Sequence, residues 1–249
     1  MTCSQLYRRS GALATLRRQK NIDCIYYLYY AIIVLVVSFK LTTSTDMNKK
    51  PTKGEYIEIL LRSPKTVLFT KDIVLLWGEK GNTAIRVRLS NYVKKGKLIR
   101  VHRGIYAKDR NYNRLELATR IYTPAYISFE TVLTRTGVNF QYYGNIFVAS
   151  YVTRDILADG QKISFLKTKD YVLSNTIGIL HVDDIAMATK ERAFLDRIYI
   201  SKDYHFDHLD VLDWNKVFEI LPIYRNKRMN KKVQEYFTHY KENKLDKIL

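Results

Sequence analysis

The run Ala84-Ile85-Arg86-Val87-Arg88-Leu89-Ser90-Asn91-Tyr92-Val93-Lys94-Lys95-Gly96-Lys97-Leu98-Ile99-Arg100-Val101-His102-Arg103-Gly104-Ile105-Tyr106 decides the fold, because its periodicity changes at one glycine. Before Gly96, Ile85, Leu89, Tyr92 and Val93 recur at i, i+4, i+7 and i+8, the spacing that gathers side chains on one face of an α-helix. The opposite face carries Thr83, Arg86, Val87, Ser90, Asn91 and Lys94, with Arg88 on its flank and Lys95 at its end. After Gly96, the residues Lys97 to Val101 and Ile105 to Ala107 read as two short strands around His102-Arg103-Gly104, a basic hairpin turn whose glycine can take a positive φ.

Working upstream, Tyr56, Ile57, Leu60 and Leu61 form the stripe of a short amphipathic helix that Ser63-Pro64 ends. A brief apolar stretch, Val67-Leu68-Phe69, leads to Thr70, expected as an N-cap, with Asp72 in the first turn of a second helix carrying Ile73, Val74, Leu76 and Trp77. Gly78 and Gly81 bracket a turn, and Asn82 is expected to cap the third helix. Helix, helix, turn, helix and basic hairpin is the order of a winged helix-turn-helix.

Charge agrees with that reading. The 249 residues hold 42 Lys+Arg against 24 Asp+Glu, a net charge of +18, but the excess is local: residues 47–110 carry 16 basic and 5 acidic residues, whereas residues 111–249 carry 20 and 17. One polyanion-binding module joined to a module with another task is the organisation this implies. With 47% hydrophobic and 13% aromatic residues, the chain is neither a disordered basic tail nor a collagen-like sequence, and two Cys exclude a disulfide framework or a multi-cysteine zinc site. On the third helix, Arg86 and Lys94 suit phosphate or guanine edges, Asn91 suits adenine and Val87 suits a thymine methyl. Arg100, His102 and Arg103 would approach the flanking backbone or minor groove. The expected DNA-binding set is therefore Thr83, Arg86, Val87, Arg88, Ser90, Asn91, Lys94, Lys95, Arg100, His102 and Arg103.

With its Leu-Ser-x-x-x-x-x-Gly-x-Leu-Ile-Arg…Arg-Gly-Ile-Tyr spacing, the 84–106 run resembles the N-terminal winged helix of AbiEi-type antitoxins, the viral-defence transcriptional regulators of type IV toxin-antitoxin systems. Ala125-Tyr126-Ile127-Ser128-Phe129-Glu130 and the Thr-x-Glu-Arg-Ala-x-x-Asp stretch Thr189 to Asp196 resemble that family's second domain. The resemblance implies an α+β protein: a winged helix-turn-helix at 47–110, then a mixed α+β antitoxin domain at 111–249 with a helical C-terminus. It implies a cytoplasmic transcriptional autorepressor of phage abortive infection that binds operator DNA at inverted repeats. The cognate toxin, a nucleotidyltransferase-like protein, would be counteracted by functional antagonism without a stable complex. A stand-alone transcription factor without a toxin partner is the nearest alternative.

In the second half, Arg114 to Tyr122 reads as a helix, and strands are expected at 146–152, 162–166 and 177–182 with turns at Asp159-Gly160 and Asn175. A helix capped by Ser128 is expected to run toward Gly137, and two C-terminal helices to be broken at Pro222 and the basic turn Arg225-Asn226-Lys227-Arg228. Arg228, Lys231 and Lys232 form a smaller basic cluster, read as a solvated surface, the alternative being a contact with DNA beside the winged helix. The types needed for metal-assisted phosphodiester hydrolysis occur at Asp155, Asp159, Lys167, Lys169, Asp183, Asp184 and Glu191, yet no Asp…Glu-x-Lys strand pairing joins them. His205-Phe206-Asp207-His208 with Asp203 and Asp210 reads as a polar loop, and no phosphate-cradling, dinucleotide or nucleophile-elbow motif occurs. No enzymatic activity, catalytic residue, cofactor or metal is expected.

The first 46 residues stand apart. Cys24 to Phe39 is an uncharged run of sixteen residues behind Arg17, Arg18 and Lys20. As a helix it would reach about 24 Å, short of a hydrocarbon core of roughly 30 Å. Both cysteines, Cys3 and Cys24, precede Met47-Asn48-Lys49-Lys50, a polar start of the cytosolic kind. Residues 1–46 are therefore expected to be an over-extended reading frame; the alternative is a membrane-anchored basic protein held through residues 24–39.

Overall fold

A computed structural model describes residues 51–246 other than 53, 80, 81 and 202, so the expectations for residues 1–46 and the turn glycine Gly81 lie outside the described residues. The first part contains α1 (Glu55–Arg62), β1 (Val67–Phe69), α2 (Thr70–Trp77), α3 (Asn82–Lys94), β2 (Ile99–His102) and β3 (Ile105–Ala107). Its strands form an antiparallel sheet in the order β1-β3-β2, with Leu68 opposite Tyr106 and Arg100 opposite Tyr106 on the other side. The helices close over one face through Tyr56, Ile57, Leu60, Leu68, Ile73, Trp77, Ile85, Leu89, Leu98 and Tyr106. Burial of each such aliphatic side chain is worth about 1.5–3 kcal/mol, which is what holds so small a set of elements together.

Then follow α4 (Arg114–Ile121), β4 (Ala125–Ile127), α5 (Glu130–Arg135), β5 (Ile146–Ser150), β6 (Arg154–Ala158), β7 (Gln161–Lys167), α6 (Asp170–Leu173), β8 (Ile179–Val182), β9 (Ile185–Ala188), α7 (Lys190–Ile200), α8 (Trp214–Ile220) and α9 (Lys227–Asp246). Six strands make a mixed sheet in the order β6-β7-β5-β4-β9-β8, parallel at β4/β9 and β5/β7 and antiparallel elsewhere. α7 and α8 pack with this sheet through Phe194, Leu195, Ile198, Trp214 and Val217. A 3-10 turn at Leu221–Tyr224 carries Pro222, and Arg225 in a left-handed conformation (φ 48°) then separates α8 from α9, as the sequence suggested. The described chain is thus mixed α+β with two sheets, and from Thr52 onward it forms one compact unit. Among the described residues no helix is long and apolar enough to cross a membrane.

Three expected caps differ from the observed ones: Asn82 is the first residue of α3 rather than its cap, and Thr70 and Ser128 differ for one shared reason. Thr70 is the first residue of α2 rather than its cap; Phe69 holds the cap position and its N–H donates to Asp72 Oδ2 at 3.2 Å, while the Thr70 hydroxyl donates to the Gly104 carbonyl at 3.0 Å. Ser128 likewise does not cap α5, which begins at Glu130 after Phe129 (φ 54°); its hydroxyl donates to the buried Asp196 at 2.7 Å. In both places a tertiary acceptor in need of a donor outweighs the local cap. Strand β6, Arg-Asp-Ile-Leu-Ala, is a further addition: as an edge strand paired only with β7 it exposes Arg154, Asp155 and Leu157, so its pattern does not stand out.

Candidate nucleic-acid interface

The third helix ends on a Schellman arrangement. Lys97 N–H donates to the Tyr92 carbonyl at 2.9 Å and Gly96 N–H to the Val93 carbonyl at 3.0 Å, with Gly96 at φ 67°. This turn throws the chain from α3 directly into β2. The β2–β3 turn is fixed from outside the hairpin, since both the N–H and the hydroxyl of Thr70 donate to the Gly104 carbonyl, at 2.9 and 3.0 Å. Gly104 sits at φ 74°, and a Cβ there would come within 3.4 Å of Thr70 Oγ1, so the conformation and the approach both favour glycine.

Ile85 and Leu89 are fully buried and Tyr92 and Val93 half-buried, the apolar stripe read from the sequence. Thr83, Arg86, Val87, Ser90, Asn91, Lys94 and Lys95 are all exposed, Val87 at 56%. On the hairpin Arg100, His102 and Arg103 are exposed while Val101 between them is buried. Among the described residues the side chains of Arg86, Lys94, Lys95, Arg100 and Arg103 have no carboxylate partner. Cations left uncompensated on a surface helix and its adjoining hairpin attract a polyanion and steer its approach.

Arg88 behaves differently from its neighbours. Its guanidinium lies 3.6 Å from the centre of the Tyr56 ring and 5.4 Å from that of Trp77, and Nη1 donates to Glu79 Oε1 at 3.0 Å. Tyr56 donates its hydroxyl to the same carboxylate oxygen at 2.5 Å, a bond that raises the phenol pKa, and the Trp77 indole N–H donates to the Tyr56 carbonyl at 2.9 Å. Arg88 is therefore a brace between α3 and the first two helices, and of the expected set it alone has its charge directed inward.

In the second part Arg192 is also turned inward. Asp196, 1% exposed, accepts hydroxyl bonds from Ser128 at 2.7 Å, Tyr224 at 2.7 Å and Tyr126 at 3.1 Å, and lies 3.5 Å from Nε of the fully buried Arg192. Arg192 also donates to the Ile177 and Val172 carbonyls at 2.9 and 2.7 Å and to the Tyr126 hydroxyl at 3.1 Å. Burial pushes the Asp196 carboxyl above the usual range against the lowering pull of Arg192 and the three hydroxyls. Tyr126, Ser128, Arg192 and Asp196 all lie in the two stretches that carry the second-half resemblance, but no local spacing in the sequence joins those stretches.

The residues with nuclease-like types are dispersed. Asp155 pairs with Lys162 at 2.9 Å across β6 and β7, Asp159 accepts from the Tyr112 hydroxyl at 3.1 Å, Asp183 and Asp184 form the left-handed β8–β9 turn, and Glu191 accepts the Asp213 N–H at 3.2 Å. Lys167 ends β7 and Lys169 precedes α6. Among the described residues no three His, Cys, Asp or Glu lie together as metal ligands; His205 and His208 pair instead with Asp207 and Asp210 at 3.7 and 3.5 Å. No family model matches the chain, and no curated protein matches it.

Proposed function

We propose that this protein is a sequence-specific DNA-binding repressor in which residues 54–107 act as a winged helix. In this reading α3 is the recognition helix, lying in the major groove with Arg86, Asn91 and Val87 at base edges and Lys94 at a phosphate, while Arg100, His102 and Arg103 of the wing meet the flanking backbone. The observation that carries it is the set of exposed cations on α3 and the adjoining hairpin that no carboxylate of the described chain neutralises. Arg88 beside them is stacked on Tyr56 and ion-paired with Glu79, so the exposed cations of α3 are the ones available to a polyanion.

The second domain's role rests on the resemblance to AbiEi-type antitoxins: it would counteract a nucleotidyltransferase-like toxin without forming a stable complex with it, in a cytoplasmic phage-defence setting. Autorepression at inverted repeats belongs to the same reading. The test is a salt-titrated gel shift comparing duplex from upstream of the gene with random duplex. Tighter binding to the upstream duplex, with the logarithm of affinity falling linearly against the logarithm of salt, is expected; equal binding to both duplexes would refute specific repression. For the second domain, the neighbouring open reading frame expressed alone should arrest growth, and co-expression of this chain should relieve it.

A further inference from the structure

The three-stranded part meets the rest of the chain through a directional polar clamp rather than through apolar packing alone. Glu116 and Arg120 are i and i+4 on α4, with side chains only 7% and 15% exposed, and they pair at 2.9 Å. Glu116 accepts from Thr66 N–H at 3.0 Å, Thr66 Oγ1 at 2.5 Å and Val67 N–H at 3.5 Å. Arg120 donates to the Val67 carbonyl and to the Asp72 carboxylate and lies 5.0 Å over the Phe69 ring. One helix of the second part thus grips Thr66, both ends of β1 and the first turn of α2.

That grip ends at the β2–β3 turn. Asp72 Oδ2, which receives Arg120, is also the acceptor that caps α2 through Phe69 N–H. Thr70, between them, donates twice to Gly104 at the turn, and Phe69 pairs with Ile105 across β1 and β3. The connection from Arg120 to the turn is therefore Asp72 and Phe69, then Thr70, then Gly104, every link a hydrogen bond, an ion pair or an adjacent residue. A guanidinium fork fixes direction as well as distance, which a lysine or an apolar neighbour does not.

We propose that Arg120 is a positioning residue for the wing: held by Glu116, it sets the place of the 102–105 turn and so lets the second domain govern how many DNA phosphates the wing engages. The proposal rests on the DNA-binding reading for its consequence, but the holding of the turn is measurable without DNA. The experiment uses the full chain with Arg120→Lys, which keeps the charge and removes the fork. Asp72→Asn serves as a second variant, keeping an acceptor for Phe69 N–H. Amide exchange is followed at Thr70, whose N–H is bonded to Gly104, and at Leu89 in the α3 core.

In both variants Thr70 exchange is expected to rise at least tenfold, more in Arg120→Lys, with Leu89 exchange unchanged. The salt slope of DNA binding should flatten by about 0.9 for each phosphate that the wing ceases to neutralise. Unchanged Thr70 exchange, or equal acceleration at Thr70 and Leu89, would overturn the proposal, the latter by showing only general loosening. A faster Thr70 with an unaltered salt slope would overturn its link to phosphate binding. If the unaltered chain fails to bind duplex at all, the DNA-binding reading falls, while the exchange arm still decides whether Arg120 holds the turn.

Discussion

Set side by side, the α3 face and the buried knot of the second part use their arginines in opposite ways. On α3 and the β2–β3 hairpin, Arg86, Arg100 and Arg103 stand in solvent without carboxylate partners, whereas in the second part Arg192 is fully buried, ion-paired with Asp196 and hydrogen-bonded to Tyr126 and two carbonyls. The difference separates cations available to an outside ligand from a cation used to hold the fold. Where they are paired, the same residue type is a structural element.

The comparison breaks first at Arg192. Arg192→Ala leaves Asp196 in the interior without its cation and should destabilise the chain by about 3–5 kcal/mol, read as a lowered denaturant midpoint with an unchanged slope. A loss below about 1 kcal/mol would put Arg192 with the surface cations. Next, Arg86→Ala and Asn91→Ala should each cost about 1–3 kcal/mol of preference for the specific duplex over random duplex while leaving thermal stability nearly unaltered. Equal effects on both duplexes would refute the groove assignment.

Arg88 sharpens the contrast within one helix. Arg88→Ala should cost about 1–2 kcal/mol of stability, because it removes the cation stacked on Tyr56 and the ion pair with Glu79, with the preference between duplexes preserved. Lys94→Ala should do the reverse, weakening all duplexes alike and lowering the salt slope by about 1. The smallest effect concerns alkaline pH. Burial raises the Tyr126 and Tyr224 phenols well above 10, so an unfolded chain loses protons there that the folded chain keeps, and stability falls as pH rises through the ordinary tyrosine range. Tyr224→Phe should make that decline shallower in denaturation series run at pH 9 and pH 11.

What could be read from sequence follows the same division. α3 and its hairpin were legible because the apolar stripe, the polar face and the punctuating glycines Gly96 and Gly104 are all local signals, and the exposed cations sit where the helical wheel puts them. Arg88 was not distinguishable from its neighbours, because the Tyr56 and Trp77 rings that draw it inward come from two other helices. Arg120 was hidden similarly: its partners Val67 and Asp72 lie about fifty residues upstream. Ser128 read as a helix cap although its hydroxyl serves the buried Asp196, since burial of polar groups is decided by tertiary partners and leaves no period. Sheet order was equally illegible, because β4 pairs in parallel with the distant β9.

The central proposal is that the cations on the face formed by α3 and the β2–β3 hairpin, rather than basic charge in general, bind DNA. The most direct measurement compares two triple variants that remove the same charge: Arg86, Lys94 and Arg103 to alanine, and Lys227, Arg228 and Lys231 to alanine on α9. Affinity for the upstream duplex at one fixed salt concentration should fall at least a hundredfold in the first and less than threefold in the second. Equal losses in the two would contradict the account, because binding would then follow net charge and not the face that carries it.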